Sequence, residues 1–237
     1  MAYGAHNVLL WGDRTMPILK FPNPRETGPE GIVALGGDLH PDSLFLAYSQ
    51  GIFPWPAEGL PLLWFCPPER AVLDFADLHI GRRLARVRRQ ATLRFTVDAA
   101  FDDVIRACQQ SPREGQDGTW ITPAMYAAYC TFHRLGFAHS VEAWDGNTLV
   151  GGVYGVAVCG TFSGESMFYR QPYASRLALL HLIDHLQERG LTWIDIQQMT
   201  PHMAALGATL VSRDAFLENL RQTQRRRLIL FTETEDG

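Results

Sequence analysis

Apolar and polar positions follow two different rhythms along the chain, and the change falls near residue 70. Before it, proline, glycine and aromatic residues are dense and irregular. Only Pro41 to Gln50 has helical spacing there, with Asp38 to Ser43 offering cap chemistry and Gly51 a stop. The segment Gly51-Ile52-Phe53-Pro54-Trp55-Pro56 fits neither the helix nor the strand period. It reads as an ordered loop restrained by its two prolines.

From Glu69 the pattern becomes regular. Arg70 to Phe75 predicts a strand and His79 to Gln90 a helix, while Phe95-Thr96-Val97 leads into a helix over Ala99 to Gln110. Ser111 to Gly118 reads as a polar loop. Thr122 then caps a helix that Pro123 opens and Gly136 ends. His139 to Trp144 and Leu149 to Val158 flank Asp145-Gly146-Asn147, a hairpin signal, and Gly160 to Phe168 extends the meander. Ser175 to Arg189 is a long amphipathic helix closed by Gly190. Trp193 to Gln197 predicts a short strand, and Pro201 to Leu206 and Ala215 to Arg225 predict helices. A bent antiparallel meander, then a helix, then another strand is the order of acetyltransferase-like folds, an analogy that leaves function open.

The 237 residues, 46% hydrophobic, suffice for one substantial core with a small appended unit. No apolar stretch approaches the roughly 18 residues a membrane span needs. Met1 to Asp13 lacks the charged start and apolar run of a signal peptide. Cys66, Cys108, Cys130 and Cys159 are scattered without a CxxC pair, so they read as reduced thiols. A cytoplasmic protein is expected.

The net charge of −4 hides a local asymmetry. Arg82, Arg83, Arg86, Arg88, Arg89 and Arg94 fall together with no acid among them. Arg82, Arg86 and Arg89 share one helix face, with Arg83 beside them. Such crowding of like charge fits either a polyanion partner or a solvated face. Arg225, Arg226 and Arg227 read as a solvated tail.

Three further features could carry chemistry. Glu165, inside Gly164-Glu165-Ser166-Met167-Phe168, is costly to bury unless paired or used. Asp195 and Gln197 fall two apart on the last short strand, hence on one face of a regular strand. An acid beside an amide can fix its orientation, leaving the amide oxygen to accept a bond from an amine. Trp55 and Trp120 sit in loop-like segments, where tryptophan either caps the core or stacks on bases. His181 and His185 have i, i+4 spacing but lack the HExxH glutamate and a third ligand, so no metal is expected. Ser163 has no G-x-S-x-G elbow, and neither a phosphate loop nor the pyrophosphate loop of coenzyme-A enzymes is present.

In order, the strings Gly36-Gly37-Asp38-Leu39, Gly51-Ile52-Phe53-Pro54-Trp55, Gly118-Thr119-Trp120-Ile121-Thr122, His139-Ser140-Val141-Glu142, Gly151-Gly152-Val153-Tyr154-Gly155, Gly164-Glu165-Ser166-Met167-Phe168 and Leu206-Gly207-Ala208 resemble the leucyl/phenylalanyl-tRNA–protein transferase family. The likeness runs from Gly31 to about Leu220. It implies an α+β chain, with a small N-terminal α/β domain over residues 1–70 packed on a GNAT-like (acyl-CoA N-acyltransferase-like) domain over 71–237. It implies transfer of leucine or phenylalanine from Leu-tRNA or Phe-tRNA to the α-amine of proteins beginning with arginine or lysine. Such a product is marked for degradation in the bacterial cytoplasm.

By position, the resemblance makes Gln197 the residue that engages the attacking amine, Asp195 the acid that polarises it, and Glu165 an acid in the same pocket. Trp55 and Trp120 would hold the 3′-terminal adenosine. Phe162, Met167, Leu179, Leu182, Leu186 and Ile194 would form the amino-acid pocket, and Arg82, Arg83, Arg86 and Arg89 would meet the acceptor stem. Ile196 stands where the family often has cysteine, which leaves direct transfer rather than a cysteine nucleophile. An aminoacyl ester is already activated, so no cofactor is expected, and the chain reads as a monomer. Rival readings are a transferase that adds amino acids to a cell-wall peptide or lipid, and a tRNA-binding protein without catalysis.

Overall fold

The computed structural model describes residues 9–10, 17–56, 59–111 and 120–232. The loop expected over Ser111 to Gly118 and the segment Met1 to Asp13 lie largely outside the described residues.

A small four-stranded sheet comes first. It holds β1 (Leu9–Leu10), β2 (Ile32–Leu35), β3 (Phe53–Trp55) and β4 (Leu63–Phe65) in the order β1-β2-β4-β3, with α1 (Pro41–Ser49) between β2 and β3. The expected loop around Trp55 is therefore a strand. Phe53, Pro54 and Trp55 pair antiparallel with Phe65, Trp64 and Leu63. Proline is tolerated because β3 is the sheet's edge, where a missing N–H costs no ladder bond.

Next come β5 (Glu69–Asp74), α2 (Arg82–Gln90), β6 (Arg94–Val97), α3 (Phe101–Gln110) and α4 (Pro123–Arg134). The meander follows as β7 (Ala138–Asp145), β8 (Thr148–Val158) and β9 (Thr161–Tyr169), with Asp145 opposite Thr148 across the expected tight turn. Then come α5 (Ala174–Glu188), β10 (Trp193–Gln197), α6 (Pro201–Ala205), β11 (Thr209–Ser212) and α7 (Arg213–Arg225). β5 to β11 form one sheet in the order β11-β5-β10-β9-β8-β7-β6. The helix expected from His79 begins only at Arg82, because Leu78 is extended and His79 N–H is taken by Leu206 O.

Two apolar cores lie on the two faces of this sheet. Val141, Val150, Val153 and Phe162 pack under α5 with Leu179, Leu182 and Leu186. Tyr154, Val156 and Phe168 point the other way, toward α1, α3, α4, α7 and the small sheet. From Val153 to Val158 the two-residue period of β8 divides its side chains between them, and the irregular pairing at Val150 turns that residue toward α5 as well.

Candidate functional site

β9 and β10 are parallel neighbours that pair in register only at Ser163 and Asp195. Two residues beyond that point, a side-chain bond replaces the ladder: Gln197 Nε2 donates to Glu165 Oε1 at 2.7 Å.

Both residues owe their aim to irregular pairing. Between Tyr154–Ser166 and Gly155–Gly164, Glu165 is an extra residue that β8 does not match. Opposite β5, the register likewise skips Ile196, and Gln197 takes a left-handed φ of 65°. A bulge bends its strand and re-aims a side chain, and a left-handed non-glycine residue costs free energy that the surroundings must offset. Gly155 permits the first bulge, since a Cβ there would fall 2.5 Å from the Phe162 ring.

The bulge also separates two residues expected to work side by side. Asp195 does not project into the site with Gln197. It is buried, and its carboxylate faces Arg70: Nε to Oδ1 and Nη2 to Oδ2 are both 2.7 Å. Ser163 Oγ donates to Asp195 Oδ2 at 2.9 Å, and the Gln197 backbone N–H donates to Oδ1 at 2.9 Å. Asp195 therefore fixes the backbone of Gln197, while Glu165 orients its amide. With Nε2 committed to Glu165, the amide oxygen is the end left to accept a bond.

Glu165 has a second donor, Tyr48 Oη at 2.7 Å, and Tyr48 contacts Tyr129 Oη at 2.5 Å. Burial pushes the Glu165 carboxyl up to about 7; the hydrogen bonds from Tyr48 and Gln197 pull it down, and the Asp195 charge adds to the rise. Burial, with the Glu165 charge second, drives both tyrosine hydroxyls well above their ordinary range. They act as neutral hydrogen-bonding groups.

Gln197 and Glu165 sit in the wall of a cavity of about 840 Å³. Phe162, Met167, Leu179, Leu182 and Ile194 line it, joined by Val153, Ile196 and Met203. Leu186 does not: it is fully buried on α5, within the core behind the cavity. Trp55 and Trp120 line the cavity and stack on one another, centroids 5.6 Å apart and planes at 10°. They form one aromatic wall, so a base would meet an outer face of the pair or part the rings.

Leu84 anchors α2, and Arg82, Arg83, Arg86, Arg88 and Arg89 are exposed. Arg88 is not free, being paired with Asp184 on α5. Arg83 and Arg176 each lie 5.6 Å from the centre of the Tyr173 ring. His181 stacks on Phe95, and His185 stacks on Phe231 and bonds Leu230 O, so the two rings serve packing.

Sequence reasoning missed Arg70, Tyr48 and Tyr129. A signal existed for Arg70, a lone cation opening the apolar run Ala71-Val72-Leu73. None marked the tyrosines, which reach Glu165 only through tertiary packing of α1 and α4.

The apolar cavity thus ends on an oriented amide and a carboxylate, an arrangement with the shape to hold a hydrophobic group beside a polar centre. The profile for "Leucyl/phenylalanyl-tRNA protein transferase" matches residues 72–221, and that for the N-terminal domain of the same name matches 37–68. Proteins of that name from Chromobacterium violaceum, Nitratidesulfovibrio vulgaris and Anaeromyxobacter sp. (strain Fw109-5) are similar to this chain. The first is 49% identical over 197 residues, 83% of this chain and 84% of the relative. The second is 49% identical over 205 residues, 86% and 88%, and the third 48% over 202 residues, 85% and 86%. The chain belongs to the leucyl/phenylalanyl-tRNA–protein transferase family. Among solved structures, that of L-PGS from Bacillus licheniformis overlaps at TM-score 0.39, with 18% identity over 56% of this chain and 47% of that one.

Proposed function

We propose that this chain transfers leucine or phenylalanine from aminoacyl-tRNA to the N-terminal α-amine of proteins beginning with arginine or lysine, marking them for degradation. The observation that carries this reading is the Gln197–Glu165 bond at the polar end of an apolar cavity. The leucyl or phenylalanyl side chain enters among Met167, Leu179, Leu182 and Ile194, which brings its ester carbonyl to the Gln197 end. The amide oxygen of Gln197 accepts a hydrogen bond from the incoming amine and points its lone pair at that carbonyl. The ester is already activated, so placement of the two reactants supplies most of the acceleration. Shape excludes β-branched side chains, with about 1–3 kcal/mol available per misplaced methylene.

Trp55 and Trp120 offer the terminal adenosine an aromatic face. Arg82, Arg83, Arg86 and Arg89 offer the acceptor stem a row of cations. Within this reading the second sheet is a GNAT-like domain over residues 71–237, residues 1–70 form the smaller domain, and the enzyme works as a cytoplasmic monomer without a cofactor. A transfer assay with charged tRNA and peptides differing in their first residue tests it.

A further inference from the structure

In the proposed transfer a charged tRNA reaches the cavity by its single-stranded 3′ end, and phosphates of that strand lie between the acceptor stem and the ester. The cations of α2 serve the stem, and Trp55 and Trp120 serve the terminal base. Neither assignment gives the phosphates between them a partner.

Residues 170–173 join β9 to α5, and the connection starts at the cavity, since Tyr169 lines it and is 68% exposed. Tyr173 ends the connection with a left-handed φ of 70°. A bulky side chain takes that conformation at a cost, and such strain persists only where the surroundings fix it. Gly151 on β8 is part of what fixes it: a Cβ there would fall 2.6 Å from Ala174 Cβ, so the start of α5 is pressed onto the sheet.

The Tyr173 ring gathers two guanidiniums from separate helices. Arg83 on α2 and Arg176 on α5 each lie 5.6 Å from its centre, so they are no more than twice that distance apart. Both are exposed, and neither enters an ion pair or a hydrogen bond among the described residues. Their neighbours are committed elsewhere. Arg170 donates to Leu149 O at 3.0 Å, Arg88 is paired with Asp184, and Asp145 accepts from Gln171 at 2.7 Å. Two like charges held close without a carboxylate partner make a place for an anion. Arg83 shares α2 with Arg82, Arg86 and Arg89, while Arg176 stands one turn before Leu179, which lines the cavity. The pair therefore bridges the α2 face and the cavity rim.

We propose that Arg83 and Arg176, gathered by Tyr173, clamp backbone phosphates of the single-stranded 3′ end of the aminoacyl-tRNA between the α2 face and the cavity. The inference rests on the reading of the cavity as an aminoacyl-transfer site and deepens it. Tyr173 is a positioning residue, its ring attracting both cations and holding them ready. A hold on the strand at the rim limits how far the ester strays from Gln197.

Three leucyl donors separate the clamp from the rest of the site: full-length Leu-tRNA, a leucylated CCA trinucleotide, and leucyl-adenosine, which carries no phosphate. Wild-type transfer to an arginine-initiated peptide, taken first, tests the underlying reading by itself. The salt dependence of tRNA retention on a filter tests the clamp whether or not transfer occurs. Arg176→Gln should raise the KM for Leu-tRNA and for the trinucleotide about fivefold, the upper range for an exposed charge pair, and leave leucyl-adenosine unchanged. It should also lower the log-log salt slope of tRNA binding by about 0.7, the share of one single-strand phosphate. Tyr173→Leu should give the same pattern more weakly, while Tyr173→Phe, which keeps the ring, should match wild type. A wild-type salt slope in Arg176→Gln would overturn the proposal. So would an equal KM rise for leucyl-adenosine, which marks a reshaped cavity, or a rise confined to full-length tRNA, which places Arg176 on the duplex.

Discussion

Arg70 and Asp195 form a two-point ion pair at the junction of the two sheets, both N···O distances being 2.7 Å and both residues nearly inaccessible to solvent. The guanidinium lies 4.5 Å from the ring centres of Phe53 on β3 and Phe216 on α7. Burial acts to lower its proton affinity, but the facing carboxylate outweighs that and holds it charged. Removing one partner of such a pair leaves a buried charge uncompensated, at a cost of about 3–5 kcal/mol. Asp195→Ala should therefore lose roughly that much stability in urea unfolding. Gln197→Ala should stay within about 1 kcal/mol of wild type, as ordinary single-hydrogen-bond losses do, and lose transfer instead. Equal stability losses would place both residues in one role.

Much of this organisation was legible in the sequence because it is periodic. The β7–β8 hairpin, the third meander strand, α4 and α5 follow directly from apolar spacing and from Gly146, Gly136 and Gly190. β2, β4 and β11 are too short to show a period, and β3 is masked by Pro54, which only its edge position makes tolerable. The site was legible as a set of residues and illegible as geometry. A regular strand places Asp195 and Gln197 on one face, but the bulge at Ile196 separates them, and bulges depend on the neighbouring strand's register. Leu186 fits the helical apolar stripe yet faces the core, because a stripe does not reveal where a cavity interrupts it.

The carboxyl of Glu165 titrates near neutrality, at about 7 against an ordinary 4.5. Its folded-state value is raised, so the stability it contributes is complete below about pH 4.5 and is lost as pH rises through about 7, at about 1.4 kcal/mol per unit. Glu165→Gln should flatten the fall in unfolding free energy between pH 5 and pH 8. Tyr48→Phe removes a donor that holds the value down, so its fall should continue to higher pH than in wild type. A variant with the wild-type slope would show that another group carries the pH dependence.

Leu179 and Met167 bound the apolar part of the cavity. Leu179→Ala makes room for a larger side chain and should shift preference toward phenylalanine over leucine by about tenfold. That is within the 1–3 kcal/mol a methylene-sized change supplies. Competition between differently labelled Leu-tRNA and Phe-tRNA reads the ratio. An unchanged ratio would move the side-chain site elsewhere.

Arg82, Arg86 and Arg89 extend from α2 without an ion pair among the described residues, whereas Arg88 is paired with Asp184. Reversing the first three to Glu should raise the KM for tRNA. It should also reduce the steepness of its salt dependence by up to about one log-log unit per lost phosphate contact. Arg88→Ala serves as the control and should alter that slope little. A triple variant with the wild-type slope would return this face to ordinary solvation.

The most direct test of the central claim mixes the protein with radiolabelled Leu-tRNA and two peptides, one beginning with arginine and the other with alanine. The account predicts label on the arginine peptide alone, with loss of that label in Gln197→Ala. Charged tRNA retained by the protein while neither peptide gains label would contradict it, leaving a binding protein in place of a transferase.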